Sequence, residues 1–517
     1  MEAAIFPLTS LAGVQRDGTA FASRYYRDSQ HCRFDAPAEG GQAMARKMGG
    51  YRKIIEIPEV VRGVLVVPSA TLPAAFNVYI GTPNNLYVFL MNFDGTPLSA
   101  LNNITPVDFQ GSDDNIWQFG VMYSTTFSAT SIIAHAAPNL ESISQNTATQ
   151  VYYGALDAII PFVPLGGTNT EVSGGVAVLH PYLFIFGSEG EIQWSQPNNP
   201  TNFPLTNINR ASGLKIVAGM QTRGGNSPPA GIFWTLSSVV RVTFVGEPGT
   251  FKFDEISSKS SILSSSSIVA DEDSIYWIGT KNFCVYNGTV KELPNNMNRQ
   301  YFFRNLNYNQ VQKVWATKIP QWGEIWWFYP SGTSEECDRA VIFNTRLNKW
   351  YDTKLDRISG YFPQVFKDPL WASPPLTEGG AYILWQHEIG VDQNTGTLED
   401  PILSPIESYF ETGDIAWCAV SPSGEWVGKD RWVDLQKVEP DLIQTGEMTL
   451  SVRGRPYARA FASESVYSPY SFDPLTEKID MREQAREMTL KFTSNEIGGF
   501  YYMGNTLLHF RLGDVRA

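Results

Sequence analysis

Apolar residues fall along the chain in paired short runs rather than in helical stripes. Residues 78–91, VYIGTPNNLYVFLM, are two such runs around Gly-Thr-Pro-Asn-Asn, which predicts a β-hairpin. The form recurs at 184–194 (FIFGSEGEIQW), 233–244 (FWTLSSVVRVTF), 276–286 (YWIGTKNFCVY) and 314–329 (VWATKIPQWGEIWWFY). Turns near Ser188, Thr235, Thr280 and Gly323 stand 47, 45 and 43 residues apart, and Thr82 precedes Ser188 by 106, about two such units. A repeat of roughly 40–50 residues with several strands per unit predicts the blades of a β-propeller. We assign the propeller to residues 54–407, with five or six blades; a large sandwich is the alternative.

The pattern changes at both ends. EMTLSVR (447–453), EMTLKFT (487–493) and LLHFRL (507–512) alternate strictly, which predicts strands with one wet face. Residues 408–517 are therefore read as an antiparallel, sandwich-like C-terminal β-domain. KIDMREQARE (478–487) fits either a short helix or the approach to a strand. Residues 368–380 and 392–407, with Pro, Gly and acidic residues, read as loops that close the repeats. Residues 1–53 have scattered Gly and Arg and little periodicity. They read as an extended N-terminal arm that orders against a partner or a neighbouring subunit. The fold class is thus mainly β.

Charge sharpens this division. The 517 residues carry a net −13, distributed as +3 over residues 1–53, −16 over 54–445 and 0 over 446–517. Proteins that grip DNA bring basic stripes to phosphate; an acidic surface repels it. A sequence-reading DNA binder is not expected on this ground. No apolar stretch approaches the roughly 20 residues of a membrane-spanning helix, and MEAAIFPLTS lacks the basic and apolar regions of a signal peptide. The expectation is a chain that folds in a cytoplasm and does not insert into membranes.

Catalytic and cofactor signatures are missing. Cys32, Cys284, Cys337 and Cys418 are far apart, with no zinc spacing, and read as reduced thiols. His31, His135, His180, His387 and His509 form no metal or catalytic motif, and neither a GxSxG elbow nor a phosphate-binding loop is present. Asp113–Asp114 and Glu335–Glu336 are adjacent pairs. Neighbours on a strand face opposite ways, so neither pair suggests the acid and base of a glycosidase. SPSGEW (421–426) is a weak echo of the sialidase hairpin and lies outside the repeats. No enzyme activity and no cofactor are expected.

PQWGEIWWFYPS (320–331) concentrates aromatic rings. Alternation puts Ile325, Trp327 and Tyr329 on one face and Trp326 and Phe328 on the other. A strand apolar on both faces packs between neighbours. Trp326, Trp327 and Phe328 are therefore read as propeller packing, with both tryptophans buried on opposite faces. Trp322, at the turn, is the ring left free to touch a partner.

Several stretches together resemble the tail nozzle family of short-tailed bacteriophages, also called tail tubular protein B or packaged-DNA stabilisation proteins. They are RDGTAFASRYYRDSQHCRF, RKMGGYR, KVWATKIPQWGEIWWFYPS, ECDRAVIFNTRLNKWYD, YFETGDI and QAREMTLKFTSNEIGGFYYMG. The resemblance touches both termini and the centre, and leaves 95–175 without a match. It implies a propeller in each subunit of a hexameric homo-oligomeric ring below the portal and its adaptor. That ring would form the distal part of the DNA channel in the virion tail. It would help retain the packaged genome, conduct it at infection without sequence-specific contacts, and hold fibres or spikes. No catalytic residues come with the family.

Two further expectations follow. The N-terminal basic residues Arg16, Arg24, Arg27, Arg33, Arg46, Lys47, Arg52 and Lys53 are candidates for pairing with acidic groups of an adjacent ring; a solvated arm is the other reading. Deleting 1–53 should then leave a folded monomer that no longer joins the tail. The competing function is a carbohydrate-recognising propeller acting as a receptor-binding tail component, which requires exposed Trp or Tyr in a groove.

Overall fold

The computed structural model describes residues 4–8, 10–18, 24–35, 44–107, 109–113, 115–137, 151–166, 172–222, 229–246, 249–361, 363–416, 419–420, 426–427, 431–457 and 459–515. Among these, strands dominate, and the main helix is one short segment, Arg299–Asn305.

Six four-stranded antiparallel sheets follow one another along the chain, each with its strands in simple sequence order. Their inner strands are Gly63–Pro68, Ile116–Ser124, Gly175–Leu179, Ile216–Gln221, Val269–Asp271 and Trp315–Ile319. A seventh sheet takes Ser359–Tyr361, Leu370–Ser373 and Tyr382–His387 from the end of the repeats and Tyr51–Ile57 from before them. The ring is thereby closed by a strand borrowed across the whole propeller. Seven blades result, where the sequence reading expected five or six.

Each blade packs a sheet face on the next, and each contact has its own apolar cluster. Blades 1 and 2 meet through Tyr79, Val88, Trp117 and Ile132. Blades 2 and 3 meet through Ile133, Leu183 and Ile185. Phe184, Phe186, Phe233 and Phe251 join blades 3 and 4, and Trp234 and Trp277 join blades 4 and 5. Phe283, Trp327 and Trp350 join blades 5 and 6. Blades 6 and 7 share Trp315, Trp326, Phe328 and Trp371, and blades 7 and 1 share Leu370, Leu384, Val64 and Ile80. Both faces of nearly every blade are buried, which is why its strands read as continuous apolar runs.

Two departures from the repeat have physical causes. The turn near Gly323 joins the first and second strands of blade 6, whereas those near Ser188, Thr235 and Thr280 join second and third strands. Helical turns at Arg299–Asn305 and Tyr308–Lys313 lengthen the passage from blade 5 to blade 6 and shift the phase. Blade 2 (Ile116–Pro164) lies in the stretch without a family match; its Trp117 ring lies where a Cβ on Gly81 would come within 2.1 Å of it, so only glycine fits there.

The segment read as an arm is built into the molecule. Ala4–Pro7 pairs with Leu507–Val515. Asp28–Gln30 pairs with Ser408–Glu411. Cys32–Asp35 and Met44–Lys47 form a hairpin joined to Phe500–Met503. These strands complete the antiparallel sheets of the C-terminal domain, which could not cover their cores without them. KIDMREQARE falls in strand Ile479–Ala485, and part of the 392–407 loop forms the small hairpin Gln393–Asn394 with Leu403–Ser404. Cys32, Cys284 and Cys337 are buried thiols; Cys418, Asp114 and most of SPSGEW lie outside the described residues.

Candidate functional site

Where the propeller meets the terminal segments, one apolar core runs through all three parts. Tyr26, Phe34 and Ala45 come from the N-terminal segment, Trp326, Phe328 and Tyr351 from blade 6, and Phe410, Leu490, Phe492 and Tyr501 from the C-terminal domain. Charged groups are set into this core. Arg33, 1% exposed, donates from Nε and Nη2 to Glu324 at 3.0 and 3.2 Å. Its Nη1 and Nη2 donate to Glu388 at 2.6 and 2.8 Å. Trp326 Nε1 and the Tyr351 hydroxyl donate to Glu324, and Trp322 Nε1 donates to Glu388 at 3.0 Å.

Local geometry makes this possible. Glu324 opens a strand, Glu324–Tyr329, whose every residue is buried. Glu388 follows strand Tyr382–His387 with φ of 62°, and a Cβ on Gly49 would come within 2.8 Å of its Cα. Glycine at 49 therefore lets the N-terminal segment pass close enough for Arg33 to reach both carboxylates. Burial raises the pKa of Glu324 even against the Arg33 charge. Burial also acts to raise that of Glu388, but Arg33 and the Trp322 N–H outweigh it and hold it low. Burial, with the nearby Lys47 charge, lowers His31 to about 3. His31 is neutral, and its Nε2–H donates to the Gly49 carbonyl at 3.0 Å.

All but one of the other basic candidates are also engaged. Arg16 donates to Asp352 at 3.0 and 2.9 Å and to Asp28 at 2.6 Å. Arg27 lies 3.8 Å from Asp414. Arg46 pairs with Asp35 at 3.5 Å and stacks on Trp322 and Phe500. Lys47 is buried and donates to the Gly499 carbonyl at 2.7 Å. Arg52 donates to the Asp94 carbonyl and to Gln386, both at 2.7 Å. Lys53 pairs with Glu56 at 3.2 Å. Of the eight, Arg24 alone is exposed. Apart from Arg24 and Lys53, these residues are not a free basic patch for an adjacent ring; they fasten the N-terminal segment to its own chain. Removal of 1–53 would strip strands from two domains and uncover their core, so the expected folded monomer does not fit this architecture.

Trp326 and Phe328 lie in the cluster between blades 6 and 7, Trp327 in the one between blades 5 and 6, and all three are at most 2% exposed. Trp322 is not free: Arg33 and Arg46 sit 4.7 and 4.5 Å from its ring centre. This stretch therefore offers no open aromatic platform. Glu336 is held by Arg62 at 2.6 and 2.7 Å and by Lys313 at 3.1 Å, while Glu335 and Asp113 are exposed. No group of three metal-ligating side chains occurs among the described residues. Sequence reasoning missed Glu324 and Glu388. The available signal was a lone carboxylate in, or at the end of, a run otherwise apolar on both faces.

No family model matches this chain, and no curated protein does. Among solved structures, one chain of a structure named "Crystal Structure of Mitotic Checkpoint Complex" is similar at 11% identity and a TM-score of 0.39, covering 68% of this chain and 96% of that one. The propeller assignment rests on the closed ring of sheets described above.

Proposed function

We propose that the chain is a structural virion protein, the subunit of the distal tail nozzle of a short-tailed bacteriophage. It would act as one copy of a ring, six by the family resemblance, that continues the DNA channel below the portal and adaptor. The observation that supports this reading is convergence. Arg33 (QHCRF), Gly49 (RKMGGYR), Glu324 (PQWGEIWWFYPS), Tyr351 (NKWYD), Phe410 (YFETGDI) and Tyr501 (GGFYYMG) carry the resemblance from six separate segments, and all lie in or beside the one seam. A family pattern spread over a chain in this way is what a shared architecture leaves behind, not a shared active site.

The physical properties suit that role. A propeller leaves few free strand edges, and a seam stitched by both termini resists pulling apart under load. Closed rings need head-to-tail interfaces. The net −16 of residues 54–445 would discourage duplex DNA from adhering where it lines a channel. Adaptor, fibres or spikes would be the protein partners, and the DNA would pass without base contacts. Reconstruction of phage particles containing this chain tests the reading. The expected result is a ring of copies at the tail tip around an open or plugged channel. Density for the chain anywhere else, or as single copies on fibres with glycan binding, overturns it and favours the carbohydrate-recognising alternative.

A further inference from the structure

Beside the seam lies an open cleft of about 680 Å³, bounded by the passage from blade 6 to blade 7, the turn after Leu370–Ser373, and the linker into the C-terminal domain. Arg357 lines it and is only 4% exposed. Its Nε donates to Nε2 of His387 at 2.9 Å and its Nη1 to the Asp356 carbonyl at 2.8 Å. Its buried Nη2 makes no hydrogen bond of good geometry, although the Tyr51 side chain favours the charge of the guanidinium. The guanidinium lies 4.5 Å from the Tyr51 ring centre and 5.8 Å from that of Trp385.

Arg33, Arg16, Arg62 and Arg455 each have a carboxylate within ion-pair distance; among the described residues neither Arg357 nor the equally buried Arg52 does, and Arg52 turns its Nη2 onto the Asp94 carbonyl and Gln386. His387 supplies no charge, because burial and the adjacent Arg357 hold its pKa well below the usual histidine range. Asp356 favours the charge of Arg357 only from the exposed rim, without an ion pair; burying a guanidinium without a paired carboxylate is costly, and two faces of aromatic ring offset only part of that cost. The unmet demand is for an anion with in-plane acceptors.

We propose that this cleft is a carboxylate-binding site, with Arg357 as the recognising charge and the exposed Lys354 at its rim. The rim also holds exposed Asp356 and Glu407, so the four formal charges cancel. The two rim carboxylates repel a dianionic phosphate more than a monoanionic carboxylate, and the carboxylate matches the planar donor edge that arginine presents. The carboxylate comes either from a small acid or from a peptide chain end. The inference does not depend on the tail-nozzle reading.

Calorimetric titration of the full-length protein at constant ionic strength tests it, with sodium acetate, sodium phosphate, and acetyl-Ala-Ala with a free or amidated C-terminus as probes. Saturable binding of acetate and of the free-terminus peptide, with loss for the amide, is expected. Tighter binding of the peptide than of acetate identifies a protein source; equal binding identifies a small acid. Arg357→Gln should weaken binding about tenfold or more. Should that variant not fold, Arg357→Lys and the surface change Lys354→Met keep the test open, and each should weaken binding. Preference for phosphate, equal binding of the amide, no saturable binding to the wild type, or affinity unchanged in these variants overturns the proposal.

Discussion

Between blades 3 and 4, Phe184, Phe186 and Trp194 meet Phe233, Val242 and Phe251 in a wholly apolar cluster. At the seam, an equally buried interface holds Arg33 against two carboxylates, with three further donors turned onto them. The two regions solve different problems. Adjacent blades are joined by short connections, so packing alone suffices and any well-fitted apolar surface serves. The seam joins groups 291 and 355 residues apart. A nonspecific apolar contact there could close in several ways, whereas a guanidinium between two fixed carboxylates closes in one. A buried ion pair is by itself weak evidence of stability, and the contribution expected of this one is to fix a single way of closing.

The sharpest break in this comparison is Arg33→Ala. It leaves Glu324 buried and Glu388 partly buried, facing each other without their shared counter-charge. The expected loss is about 3–5 kcal/mol, read from urea unfolding at neutral pH. A loss below about 1 kcal/mol would show that the seam is held by its apolar core like any blade contact.

Acid should separate the regions next. His31 and His387 flank the seam, and burial depresses both, His31 to about 3; His135 in blade 2 is lowered by burial to about 4. In the unfolded chain each protonates near pH 6.5. Their contribution is therefore complete above that pH and declines as pH falls from 6.5 towards the folded values. Between pH 6.5 and 5.5 the three together should remove roughly 3 kcal/mol. Two of the three are at the seam, so hydrogen exchange should accelerate there before it does in blades 3 to 5. Uniform acceleration would contradict the division.

How much of this was legible in the sequence follows the same line. Blades 1, 3, 4 and 5 were visible because a hairpin writes its pattern within about 15 residues. Blade 2 was passed over because its strand 116–124, IWQFGVMYS, mixes polar and apolar positions, and half of them are only partly buried. Blade 6 was seen but misphased, because the inserted helical turns moved its hairpin by one strand. Blade 7 was out of reach, since its outer strand precedes the repeat. The basic residues of 1–53 read as candidates for pairing with an adjacent ring because their acidic partners lie far along the chain: Asp352 for Arg16, Glu324 and Glu388 for Arg33. Local patterning cannot report such pairs, and the +3 charge of the segment does not distinguish a solvated arm from one held by ion pairs.

The smallest effect tests the blade side. Ile185, fully buried in blade 3, shares an apolar cluster with Met122 and Ile133 of blade 2. Ile185→Val removes one methylene from a site whose neighbours can close in, so the loss should be about 1 kcal/mol. The change should add to that of Arg33→Ala within about 0.5 kcal/mol, because the two sites share no partner. Strong non-additivity in the double variant would mean that strain at the seam is carried around the ring, and that blades and seam form one mechanical unit rather than two interfaces of different kinds.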